Sequence, residues 1–151
     1  MANAARQMKA RHGQRGASLV ETVIVMGVLL ALMFGIIDFG RALYTYSFVA
    51  QIARQGARWA IVRGANCAVL TPCPALQSDI QTYVRSLSEG ATNPSQITVT
   101  ADWGTPACDA SHTPGCVVTV TVTYPFKFFL PFVLPGQVIT MSSSSKMVVS
   151  N

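Results

Sequence analysis

Residues 19–37 read LVETVIVMGVLLALMFGII, nineteen residues with a single charge, Glu21. At 1.5 Å per residue such a run makes a helix of about 28 Å, close to the roughly 30 Å hydrocarbon core of a bilayer. The run is therefore expected to cross a membrane. On its N-terminal side lies MANAARQMKARHGQRG, residues 1–16, with Arg6, Lys9, Arg11 and Arg15 and no acid. On its other side the chain opens with Asp38 and Arg41. Positive residues stay on the cytoplasmic side, so the leader is expected inside and the C-terminal region outside.

The charge balance changes once the chain is divided. The formal net charge is +5, but with the leader set aside seven basic residues face all six acids, a net of +1. A nucleic-acid-binding domain needs a basic patch on its folded part, and no such cluster follows residue 63. All four cysteines, Cys67, Cys73, Cys108 and Cys116, lie in the part expected outside, where disulfides persist.

An ordinary secretory signal places its cleavage site after the apolar stretch. Here the basic leader is followed directly by Ala17-Ser18-Leu19-Val20-Glu21 and then by the apolar run, with no A-x-A-like site near its end, so the anchor is expected to be retained. Gly16, followed by four residues and then Glu21, resembles the class III leader of type IV prepilins. More specifically, RGASLVE, then GIIDFGRALYTY, then ARQGARWA, all within residues 15–60, is similar to the TadE-like family of the tight-adherence (Tad) pilus system. The resemblance implies cleavage between Gly16 and Ala17 by a prepilin peptidase, and an alignment role in assembly for Glu21. The partners it implies are other pilins or pseudopilins, the pilus assembly platform and the bacterial inner membrane. A TadG-type role stays open, although TadG-like proteins usually carry a larger C-terminal region.

A carboxylate within hydrocarbon costs about 2.5–3.5 kcal/mol at mid-membrane and less near the interface. Glu21 thus calls for a partner or for a place at headgroup level. Cleavage after Gly16 would supply a partner, because the new α-amine of Ala17 is a cation with an ordinary pKa near 8, four residues away or on a neighbouring subunit. Further along, Gly27, Ala31 and Gly35 recur every fourth residue, which lets helices approach closely; they also fit simple packing filler.

The helix is expected to continue past the membrane, from about Ser18 to Arg63, with Gly64 as its stop. Phe39, Ala42, Leu43, Tyr46, Val49, Ala50, Ala53, Ala57, Ala60 and Ile61 form the apolar face. The opposite face carries Arg41, Thr45, Gln51, Arg54, Gln55, Arg58 and Arg63, interleaved with Tyr44, Phe48, Ile52, Trp59 and Val62. That mixed face suits either partner helices or a solvated surface on which long polar stems cover aromatic rims.

Residues 65–151 read as a small exported α+β domain. Ala75 to Leu87 has helical spacing, with Leu76, Ile80, Tyr83, Val84 and Leu87 on one face. Ile97, Val99, Ala101 and Trp103 alternate with polar residues, as do Val118, Val120, Val122 and Tyr124; Val138 to Val149 alternates less cleanly around Ser142 to Ser145. The expected architecture is a long N-terminal transmembrane and amphipathic helix, a short second helix and a three-stranded antiparallel sheet packed on the stem. The domain divisions are 1–16 leader, 17–37 membrane helix, 38–64 amphipathic stem and 65–151 exported domain.

Four cysteines allow three pairings. Cys67 with Cys73 and Cys108 with Cys116 are favoured, because each pair brackets a proline-containing loop and joins segments already close in the chain. Zinc ligation by Cys108, Asp109, His112 and Cys116 matches no C-x-x-C knuckle. The stretch YPFKFFLPFVLPG, residues 124–136, reads as a loop capping the sheet or as an exposed patch for a neighbouring subunit or the membrane surface, and its prolines are expected to keep it out of a sheet centre.

For catalysis the exported part offers only His112, with Asp102, Asp109 and Ser111 nearby in sequence and no nucleophile elbow, phosphate loop or metal motif. The reading is a structural component and not an enzyme, with no cofactor, small-molecule substrate or nucleic acid expected. It is a minor pseudopilin-like subunit of a Tad-type pilus, anchored before assembly. The competing reading is a permanently anchored, uncleaved extracytoplasmic binding protein.

Overall fold

The computed structural model describes residues 2–67, 69–89, 92–129 and 138–150, with only the backbone course over 2–15. The fold is α+β. Helix α1 spans Ala2–Val62, α2 Gln77–Leu87 and α3 Pro106–Ser111, with a 3₁₀ turn at Pro94–Gln96; strands β1 Thr98–Asp102, β2 Val117–Lys127 and β3 Val138–Val148 form one antiparallel sheet in the order β1-β2-β3. The chain divides into two units, Met1–Gly40 and Arg41–Asn151.

The first unit is helix alone. α1 starts at Ala2, well before the expected Ser18. The composition of the preceding residues explains this, because alanine, arginine, glutamine, methionine and lysine are all good helix formers. From Gly16 to Ile37 every residue is exposed. α1 is long and apolar enough to cross a membrane.

In the second unit α1 contributes a seam of small and β-branched residues. Thr45, Val49, Ile52, Ala53, Gly56, Ala57 and Ala60 are buried, a stripe with the three- and four-residue spacing of one helix face. This corrects the expected faces. Ile52 belongs to the core, while Phe39, Leu43 and Tyr46, assigned to the apolar face, are exposed. The sequence criterion counted every apolar residue, but short side chains decide how closely the sheet and α2 approach. Gly56 marks the closest approach: a Cβ there would lie 2.7 Å from Val84 Cγ2 on α2 and 3.3 Å from Val120 Cγ1 on β2.

The sheet follows the alternation in its sequence. Ile97, Val99 and Trp103, and then Val118, Val120 and Val122, face the core, where they meet Val49, Ile52, Ala57, Ile80 and Val84, and Phe126 further along β2 is buried too. The register pairs Val99 with Val122 and Val120 with Ser145, so β3 brings a serine to the inward row. Thr121 and Ser144 join their hydroxyls at 2.8 Å on the outer face.

Two further differences concern local chemistry. Leu76 is the N-cap of α2 and exposed, so α2 begins at Gln77, with Asp79 Oδ2 accepting from the Leu76 N–H at 3.0 Å. Pro125 lies inside β2, opposite Thr140. It is tolerated in the central strand because β1 ends opposite Thr123, so no β1 residue lies across from it and no ladder bond is lost. The rest of the aromatic stretch, 130–137, lies outside the described residues.

Candidate functional site

Among the described residues the functional candidates are surfaces and termini. The first is the N-terminal part of the membrane helix. Gly16 and Ala17 are consecutive residues of α1, and Glu21 lies one turn beyond Ala17 on the same side of the helix, as i, i+4 spacing requires. Thr22 returns its hydroxyl to Ser18 O at 2.9 Å, so the segment between the glycine and the glutamate is helical and locally satisfied. Glu21 is exposed, as are Gly27, Ala31 and Gly35. A Cβ built on Gly16, Gly27 or Gly35 would meet nothing within 4 Å. Among the described residues these glycines pack against nothing.

The second candidate is the end of the second unit where α1 stops. Cys67 is joined to Cys73 and Cys108 to Cys116, and no cysteine is free. The two loops are tied to each other and to the stem. Ala65 N–H donates to His112 O at 2.9 Å, Ala75 N–H to Arg63 O at 3.0 Å and Ser150 N–H to Ile61 O at 3.3 Å. His112 caps α3 in the left-handed conformation, φ 49°, and its ring stands edge-on to Trp103 at 4.1 Å. α3 itself was missed from sequence, although Thr105 accepting from Cys108 N–H and Pro106 in the first turn are an ordinary helix start.

This geometry does not assemble the polar residues near His112 into a catalytic group. Asp102 Oδ1 accepts from Gly104 N–H at 2.9 Å, Ser111 donates to Ala107 O at 2.7 Å, and His112 is turned into the core against Trp103. The disulfide removes Cys108 and Cys116 from any zinc-ligand set, and among the described residues no cluster of three possible metal ligands forms.

The third candidate is the mixed face of α1, which is smaller than its sequence suggests. Trp59 stacks on Tyr83 of α2 with centroids 5.0 Å apart, and the Arg63 guanidinium lies 4.2 Å over the Trp59 ring. α2 thus covers part of that face. Tyr44, Gln51, Arg54, Gln55 and Arg58 remain exposed.

The comparison with protein families adds what the geometry lacks. Residues 16–58 match the family described as TadE-like protein. Over these residues the stem resembles that family. The match begins at the glycine before Ala17, includes the whole apolar run and ends on the amphipathic part of α1. The matched family is a structural, pilus-associated one. Among the described residues one helix apolar enough to cross a membrane and two disulfides fit a membrane-anchored component of that kind. No curated protein and no solved structure matched the chain.

Proposed function

We propose that this TadE-like chain is a minor, pseudopilin-like structural subunit of a Tad-type pilus assembly. It is held in the bacterial inner membrane with its N-terminus in the cytoplasm and its C-terminal unit in the periplasm, and a prepilin peptidase cuts it between Gly16 and Ala17. The observation that carries this reading is the coincidence, within the matched residues 16–58, of a glycine before the apolar run, a lone carboxylate five residues after it and an amphipathic continuation of the same helix.

The chemistry of the cut supports the assignment. Before cleavage Glu21 lies deep inside a long helix; after it, the helix would begin near Ala17 and Glu21 would fall in its first turn. There the unpaired N–H groups and the helix dipole favour a negative charge, and the new α-amine offers a counter-ion. Glu21 would then satisfy its own amine or that of a neighbouring subunit, which aligns one stem against the next. Gly27, Ala31 and Gly35 would allow close packing of those stems. The head would set contacts with other pilins and the assembly platform.

The test is the replacement Gly16→Val. Because the peptidase is taken to read a glycine just before the cut, the variant should insert in the membrane and accumulate at precursor mass. Normal maturation of the variant would remove the prepilin-type assignment.

A further inference from the structure

We propose that the outer face of the sheet is a self-association surface, on which a second copy of this chain stacks about a two-fold axis parallel to β2. The inference rests on the reading of residues 19–37 as a membrane anchor, which holds copies together in one orientation, and goes beyond it in naming the surface they share.

The register of the sheet builds this face. The three strands align Thr98, Thr123 and Ser142 in one row and Thr100, Thr121 and Ser144 in the next, so both rows carry hydroxyls alone. The third row holds Asp102, Thr119 and Lys146. Asp102 and Lys146 are exposed and stand two strands apart, about 10 Å, with the uncharged Thr119 between them. In the first two rows the side chains are short, and their hydroxyls already join across the strands, Thr121 with Ser144 at 2.8 Å and Thr123 with Ser142 at 3.4 Å. Covering them therefore costs less than covering hydroxyls that have no partner.

The two charges choose the occupant. A two-fold axis along β2 exchanges the edge strands, so Asp102 of each copy comes to face Lys146 of the other while the hydroxyl rows meet their own kind. The face is complementary to itself. The same axis suits two anchored chains. Arg41 of α1 lies over the Phe126 ring towards one end of β2, Gly56 approaches Val120, and Ile61 O accepts from Ser150 N–H at the other end, where Val149 N–H donates to Cys116 O. From Arg41 to Ile61, α1 thus runs along β2, and a rotation about that direction leaves this part of α1 pointing the same way in both copies. The face measures only about 15 Å by 15 Å, well below the roughly 800 Å² per partner of a standard stable interface. It therefore joins chains whose effective concentration is already raised by a shared membrane.

Membranes of cells expressing the full chain supply the test. Since both native cysteine pairs are oxidised, a single new thiol reports one position. Thr121 is central on β2 and so lies beside the axis, where Thr121→Cys should give a disulfide-linked species of twice the chain mass on mild oxidation. Ser86→Cys, exposed on α2 against the opposite side of the sheet, should stay monomeric. In the Thr121→Cys background, Asp102→Lys or Lys146→Asp should each lower the dimer about fivefold, because both crossed pairs become like charges. Co-expressing the two charge variants should restore it as a mixed dimer, which a folding defect in either chain would not allow. Equal dimer from Thr121→Cys and Ser86→Cys would overturn the proposal, as would charge variants without effect or without restoration, or a crosslink only to a protein of another mass. Alkaline extraction separates the two readings. If the chain stays in the membrane but Thr121→Cys remains monomeric, the shared face fails and the anchor stands; if extraction releases the chain, the anchor reading fails and takes the shared face with it.

Discussion

Gly56 shows how one residue sets the distance between elements. Alanine in its place would gain up to about 1 kcal/mol of helix propensity. Its Cβ would sit 2.7 Å from Val84 Cγ2, however, inside any real contact, and a β-branched neighbour in a packed core yields poorly. Overpacking of this kind costs about 1–3 kcal/mol. Gly56→Ala should therefore lower the unfolding temperature of the detergent-solubilised protein, and adding Val84→Ala should recover part of the loss; a more stable single variant would refute the close approach. At Glu21 the expected effect is on assembly and not on folding, since the side chain is exposed and touches no core. Glu21→Ala should still insert and be cut but should lose crosslinking to partner pilins. Undiminished capture by the cut variant would leave Glu21 as a headgroup-level residue with no role in alignment.

Among the elements, strands were more legible than helix faces, for a physical reason. A period of two leaves only two faces, so Ile97, Val99 and Trp103, or Val118, Val120 and Val122, announce the inward row unambiguously. A helix face is a continuous choice of phase. Leu43 and Tyr46 were misplaced on the expected apolar face, while Val49, Ala53, Ala57 and Ala60 lie in the seam as expected and are joined there by Thr45 and Gly56. Nothing in the sequence marks Thr45 as buried; its hydroxyl is satisfied by Arg41 O at 2.9 Å, a bond within the helix. β2 ran on past Thr123 through Pro125 because the end of β1 is a property of the pairing and not of β2 itself. The disulfide loops carry their own expectation. Non-reducing peptide mapping should link Cys67 to Cys73 and Cys108 to Cys116, and a link such as Cys73 to Cys108 would contradict the loops seen here. Replacing Cys108 and Cys116 together by serine should cost about 2–3 kcal/mol by the loop-closure argument, read as a drop in unfolding temperature.

Along the chain a basic N-terminal stretch is followed by an apolar helical segment whose side chains from Gly16 to Ile37 are exposed, and then by a unit whose core includes residues of the same helix. The first two parts were readable from composition alone: four basic residues, then nineteen nearly uncharged ones. The proposed site is readable only as a pattern, because a processing site and an assembly carboxylate would act on other proteins and leave no internal contacts in a single chain. The central claim is that this chain becomes a subunit by losing its leader, and the mass of the N-terminal peptide from protein purified out of the membrane tests it most directly. The account predicts Ala17 as the first residue and no trace of residues 1–16. A mature protein that keeps Arg6, Lys9, Arg11 and Arg15 ahead of the glycine would contradict it and would leave a permanently anchored protein in its place.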